Sequence, residues 1–198
     1  MYMSVTHADS TQRKGEIIMS RINSLTIESA STQSAGMLEQ VKAKIGMVPN
    51  LYGTIAQSPA ALGAYLSFMD AIGSAEISPA LREQIALTTA GINHCDYCAS
   101  AHTLIGKGAG IAEDELARNL KGTSSDPKVQ SALSFVAAIV NKQGFIDDAD
   151  LQAVRAAGYS DGQVAEIIAV VSINIFTNYF NHIAQVEIDF PLVQTQGV

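Results

Sequence analysis

Three times in this chain a residue suited to cap a helix is followed at once by proline: Ser58-Pro59, Ser78-Pro79 and Asp126-Pro127. A proline at the first helical position loses nothing, because its missing N–H would be unpaired there, and the preceding hydroxyl or carboxylate closes the remaining orphan donors. These pairs predict helices over about 59–73, 79–91 and 127–142, the last closed by Gly144. Met37, Val41 and Ile45 recur at helical spacing before Gly46, a C-terminal cap. A short helical run follows from Leu51 to Gln57.

Asn93 reads as the N-cap of a helix from about His94 to Lys107, ended by Gly108 and Gly110. Shorter helices are expected over Glu113–Leu120 and Asp148–Ala157, the latter stopped by Gly158. Ser160 and Gln163 form a capping box that opens a long apolar helix from Asp161 to about Ile183. Ile22–Ile27 and Glu187–Pro191 read as extended, and Ser31–Ser34 as a small-polar linker. No alternating strand pattern of any length appears, so the predicted fold class is all-α. Residues 1–18, mostly polar and aperiodic, read as a flexible N-terminal arm or in part an expression remnant, and 19–198 as one helical domain.

Hydrophobic residues make up 47% of the 198 and charged residues only 16%, with no tryptophan. That is apolar for a monomer of this size and points to a subunit interface on an aliphatic protein. The net charge of −7, with no basic patch and no basic amphipathic helix, argues against nucleic acid and membrane surfaces as partners. The most apolar run, Ile167–Ile173, is too short to span a bilayer. A cytoplasmic location is the expectation. In a reducing compartment, a lone pair of cysteines three residues apart reads as redox or metal chemistry rather than as a disulfide framework.

That pair is Cys95 and Cys98, with His102 four residues on and Glu83 twelve residues before. On one helix Cys95, Cys98 and His102 fall within about 60° of each other. The sulfurs can then bond, and Cys98 can share a proton with His102. Cys95 would lie in the first turn, beside unpaired N–H groups and the positive end of the helix dipole, which favour thiolate. A free thiol is only ~3% ionised at pH 7, and roughly 2 kcal/mol of differential stabilisation brings it to half. Glu83 lies in an apolar stripe with Ala80, Ala86, Leu87 and Ala90, where burial would favour its protonated form and suit it to general acid–base work.

Plainer readings stand beside this one. Glu83 could face solvent or pair with an arginine. The cysteines could be inert buried thiols or half a zinc site, but a structural zinc needs a fourth ligand, and His7 and His182 are isolated while His94 points off the face. Asn178, Asn181 and His182 read as a polar cluster capping a helix end, and Tyr97 as a pocket wall. A shift of 83 residues lays Glu83 over Glu166 and Cys98 over Asn181, an echo too weak to carry an argument.

The spacing Glu83…Cys95-Asp-Tyr-Cys98-Ala-Ser-Ala-His102 resembles the AhpD-like alkylhydroperoxidase branch of the carboxymuconolactone decarboxylase family. Met47-Val-Pro-Asn50, Ser58-Pro59, Asn181-His182 and Asp189-Phe190-Pro191 resemble its uncharacterised peroxidase-related subgroup. The resemblance implies an AhpD-like helical bundle built around a buried helix pair, assembled as trimers or hexamers. It implies a thiol-dependent peroxidase without bound cofactor or metal. Glu83 and His102 would relay the proton, Cys98 would attack the hydroperoxide, and Cys95 would resolve it, with an external dithiol as reductant. The dipole argument favours Cys95 instead as the more acidic thiol. The sequence departs from the family at Tyr97, where well-studied members carry a histidine. A general thiol–disulfide oxidoreductase and a non-catalytic redox switch or scaffold are the alternatives.

Overall fold

The structure is a computed structural model that describes residues 20–195; the expected N-terminal arm lies outside the described residues. Helices carry the fold, and no strand occurs among the described residues. In chain order they are α1 (Thr32–Ile45), α2 (Asn50–Ile55), α3 (Pro59–Gly73), α4 (Pro79–Ile92), α5 (Asp96–Gly108), α6 (Glu113–Leu120), α7 (Pro127–Asn141), α8 (Asp148–Ala156) and α9 (Asp161–Ala184).

The proline-marked starts hold. Ser58 accepts a hydrogen bond from the Ala61 N–H, Ser78 from that of Leu81, and Asp126 from those of Lys128 and Val129. Ser160 and Gln163 form the reciprocal capping box that opens α9. Several helix ends shift by a residue or two from the sequence reading, and two starts differ in kind. Ser31 is the N-cap of α1, whose first turn runs through Thr32 and Ser34, so the stretch read as a linker is helix. The small hydroxyl residues that suggested a loop are there as a cap, and Ser34 donates to the buried carbonyl of Ala56 at 2.7 Å. The second difference is at the site. Asn93 closes α4 rather than opening α5, and His94 turns the chain through a left-handed φ of 55°. Cys95 itself is then the N-cap of α5.

α4 lies at the centre. It packs against α5, α6, α7 and α9, and every residue from Gln84 to Ala90 is buried. On one side Leu87 and Ala90 join Leu38, Leu62, Cys98 and Leu116 in one apolar cluster; on the other Leu81 and Ile85 join Leu133, Val136, Ile167 and Val171 in a second. The close approach of α6 is set by Gly91, where any Cβ would collide with the Leu120 carbonyl.

α9 has the length and hydropathy of a membrane span. Half of its apolar window is buried against the rest of the chain. Its Glu166 carboxylate also accepts the N–H groups of Glu76 and Ile77 at 2.8 and 3.0 Å, just ahead of α4. It is a core helix by these contacts.

The chain after α9 is extended and lies back over the bundle. Asp189 accepts the Asn50 N–H at the start of α2 at 2.8 Å. Val193 N–H donates to Ser100 of α5 at 2.9 Å, and Asp96 in the first turn of α5 accepts both the N–H and the hydroxyl of Thr195 at 2.8 and 2.7 Å. This strap ties the end of the described chain to the helix that begins at Cys95.

Candidate active site

Cys95 and Cys98 are joined as a disulfide, with Cα atoms 5.3 Å apart. Both are buried in the cluster shared by α4 and α5. The sulfur of Cys95 accepts the Cys98 N–H at 3.3 Å, so it serves as the helix cap. A cap needs an acceptor atom and extended backbone, and Cys95 supplies both because the left-handed His94 redirects the chain out of α4.

One turn further along α5, His102 meets Glu83 of α4. Its Nδ1 stands 2.7 Å from Glu83 Oε2, and both side chains are about four-fifths buried, at 20% and 18% exposure. Glu83 is therefore neither solvent-facing nor paired with an arginine. The neighbouring Arg82 lines the same crevice but donates to the Ile77 carbonyl at 3.1 Å. A carboxylate accepting from Nδ1–H fixes the tautomer and leaves Nε2 as the nitrogen able to exchange a proton. All four residues singled out in the sequence thus lie on the α4–α5 pair.

Glu83 and His102 look into a crevice of about 180 Å³ walled in part by Tyr65, Met69, Ala86 and Ile173. A second crevice of about 180 Å³ reaches Cys95, between His94, Asp96, Asn181 and His182. The site thus has two openings, one at the acid–base pair and one at a sulfur.

Tyr97, which stands before Cys98, is structural. Its hydroxyl accepts the buried Leu51 N–H at 3.1 Å, and its ring packs edge-on against Phe190. Burial pushes its phenol far above the ordinary range, so it stays neutral. Burial likewise raises Tyr52 and Tyr65, whose rings meet edge-on with centroids 5.4 Å apart. Neither tyrosine is a base.

The polar cluster at the end of α9 divides in two. His182 Nε2 donates to the Asn93 carbonyl at 2.8 Å, and Asn178 Oδ1 accepts from the Asn93 amide at 2.9 Å; these close the α4 terminus, as a capping role requires. Asn181 does something else. Its Nδ2 donates to the Cys98 sulfur at 3.2 Å. Sequence reasoning missed this residue as part of the site. The available signal was its spacing: Asn174, Asn178 and Asn181 recur on one face of an apolar helix, and all three are buried. Among the described residues, no group of three or more His, Cys, Asp or Glu side chains converges on a metal-sized site.

The all-helical bundle has the fold of AhpD-core structures. The profile of the Carboxymuconolactone decarboxylase family matches residues 59–125 of this chain. Several solved structures share the fold. The alkylhydroperoxidase AhpD core of an uncharacterized peroxidase-related protein from Ralstonia eutropha superposes with a TM-score of 0.76 at 23% identity, over 86% of this chain and 92% of that one. An uncharacterized peroxidase-related protein from Silicibacter sp. TM1040 gives 0.74 at 22% identity, over 83% and 91%. The debrominase Bmp8, solved in complex with 2,3,4-tribromopyrrole, gives 0.73 at 20% identity, over 87% and 93%. No curated protein sequence matches this chain.

Proposed function

We propose that this protein is a thiol-dependent peroxidase that reduces hydroperoxides through the Cys95/Cys98 pair, with Glu83 and His102 as the proton relay. The observation that carries this is the 2.7 Å contact between His102 Nδ1 and Glu83 Oε2, one helical turn from a sulfur pair able to close. With both cysteines reduced, His102 Nε2 takes the thiol proton of the attacking cysteine. The thiolate attacks the distal oxygen of the hydroperoxide, an S–O bond forms, and the O–O bond breaks. The relayed proton leaves with the alcohol. The sulfenic acid condenses with the second thiol, water departs, and the disulfide results. An external dithiol then returns the pair to thiols, one sulfur at a time. The chemistry draws on no bound cofactor. The likeness to AhpD-core structures supports the fold in which this occurs, and the Glu–His pair supports the reaction.

A thiol–disulfide oxidoreductase with no peroxide step is the second reading. It is favoured by Tyr97, which brings no base to the position before Cys98. Self-association is part of the proposal: Ile168, Phe176, Tyr179 and Ile183 form an exposed apolar stripe along α9.

The test is mass spectrometry of the fully reduced protein before and after one equivalent of an organic hydroperoxide. Rapid loss of two hydrogens in the wild type is the expected result. Disulfide exchange without any peroxide oxidation would leave the oxidoreductase reading in its place.

A further inference from the structure

The geometry points to Asn181 as a catalytic residue: its side-chain N–H holds Cys98 as the thiolate, making Cys98 rather than Cys95 the sulfur that attacks peroxide and leaves when the disulfide is reduced. The inference rests on the thiol chemistry proposed above and adds a residue from α9 to it.

Three observations carry it. Asn181 Nδ2 lies 3.2 Å from Cys98 Sγ, and that sulfur is its hydrogen-bond acceptor. The residue is 6% exposed, and its Oδ1 has no hydrogen-bond partner among the described residues. A buried amide satisfied on one side only is costly to keep unless the bond it does make is a strong one. A disulfide or thiol sulfur is a weak acceptor; a thiolate is an ionised one, and bonds to ionised acceptors are roughly twice as strong. The Asn181 bond therefore strengthens in the one state where Cys98 carries charge.

Cys95 has its own donor, the Cys98 N–H at 3.3 Å. That bond is the N-cap of α5, and a cap is needed whether the sulfur is charged or not. The side-chain donor serves Cys98 alone. Asn181 also walls the crevice that reaches Cys95. When an external thiolate attacks Cys95 from there, a new S–S bond forms at Cys95 and the Cys95–Cys98 bond breaks. The electron pair then goes to Cys98, beside the waiting N–H. The second thiol of the reductant displaces Cys95 in turn, and the reductant leaves as a disulfide.

The experiment uses single-thiol proteins, Cys95→Ser and Cys98→Ser, each with and without Asn181→Leu, and reads iodoacetamide alkylation from pH 5 to 10. In the protein retaining Cys98, Asn181→Leu is expected to move the midpoint up by about one pH unit and to slow alkylation at pH 7 by about tenfold. In the protein retaining Cys95 the rate should change less than twofold. Asn181→Ala is the companion variant, in case leucine does not fit the α5–α9 seam. An unchanged Cys98 midpoint in the folded variants, or an equal shift at both thiols, would overturn the assignment. Since no peroxide is used, a wild type that fails to consume hydroperoxide removes the peroxide step, while the alkylation midpoints alone decide whether Asn181 holds Cys98 as the thiolate and leaving group.

Discussion

Glu83 and His102 are nineteen residues apart in sequence, on two different helices, and meet through a 2.7 Å contact in a largely buried setting. In the relay proposed above, the carboxylate orients the ring and the ring's other nitrogen transfers the proton. Glu83→Gln keeps the shape and removes the charge that holds this tautomer. The expected outcome is a fall of about 10²-fold in the rate of hydroperoxide oxidation of the reduced protein. Stopped-flow oxidation checks it, and an unchanged rate would sink the relay.

Tyr97 stands directly before Cys98, and its hydroxyl is bound to the Leu51 N–H and stays neutral. Tyr97→Phe should leave that buried N–H without an acceptor and cost on the order of 1–3 kcal/mol of stability. Peroxide oxidation should stay within twofold. Urea unfolding alongside the oxidation assay separates the two effects; a large loss of rate in a folded variant would return Tyr97 to the chemistry.

Glu115 ties α6 to the loop before α7. Burial opposes its charge, but hydrogen bonds from Ser124, Arg118 and Ser125 prevail and hold its carboxyl down at about 2. A carboxyl depressed on folding stabilises the protein at pH above its unfolded value and loses that contribution as pH falls through the folded one. Glu115→Gln should therefore cost on the order of 2 kcal/mol at pH 7. The gap to wild type should narrow steadily as pH drops below about 4.5. Denaturant unfolding between pH 7 and pH 3 measures it; a gap independent of pH would mean that the charge is not what stabilises the loop.

At Gly91 a methyl group would run into the Leu120 carbonyl. Backbone cannot swing aside as a flexible side chain can, so Gly91→Ala should force α6 away from α4. A loss of about 2–3 kcal/mol is expected, of the size seen for overpacked cores. Thermal unfolding of the variant decides it, and a melting temperature within a degree of wild type would show that the two helices can separate freely.

Much of this fold was legible because its signals are local. The cap-and-proline pairs at 58–59, 78–79 and 126–127, and the box at Ser160 and Gln163, each fix a helix start by chemistry within four residues. The nearness of Glu83 to His102 and of Cys95 to Cys98 was legible for a related reason, a helix pair and a three-residue spacing, although Cys95 caps α5 instead of sharing its helical face. The start of α5 was misplaced because His94 adopts a conformation usually reserved for glycine, which residue type alone does not announce. Serine suits loops and caps alike, so the residue types at 31–34 do not announce the start of α1. Asn181 was missed for a deeper reason. Its partner lies 83 residues away, and only the packing of α9 on α5 brings the amide to the sulfur.

The strap formed by the last described residues sets a limit on what can be cut away. The family-matched stretch, 59–125, holds both cysteines and the Glu–His pair, so it looks like a self-sufficient reactive unit. Yet Asp96 and Ser100, on the helix that begins at the sulfurs, take their long-range partners from Thr195 and Val193. A ribosome will have made the cysteine pair about a hundred residues before it makes the segment that supplies those partners. Until then the first turns of α5 lack those partners, and a fragment cut to 59–125 lacks them permanently.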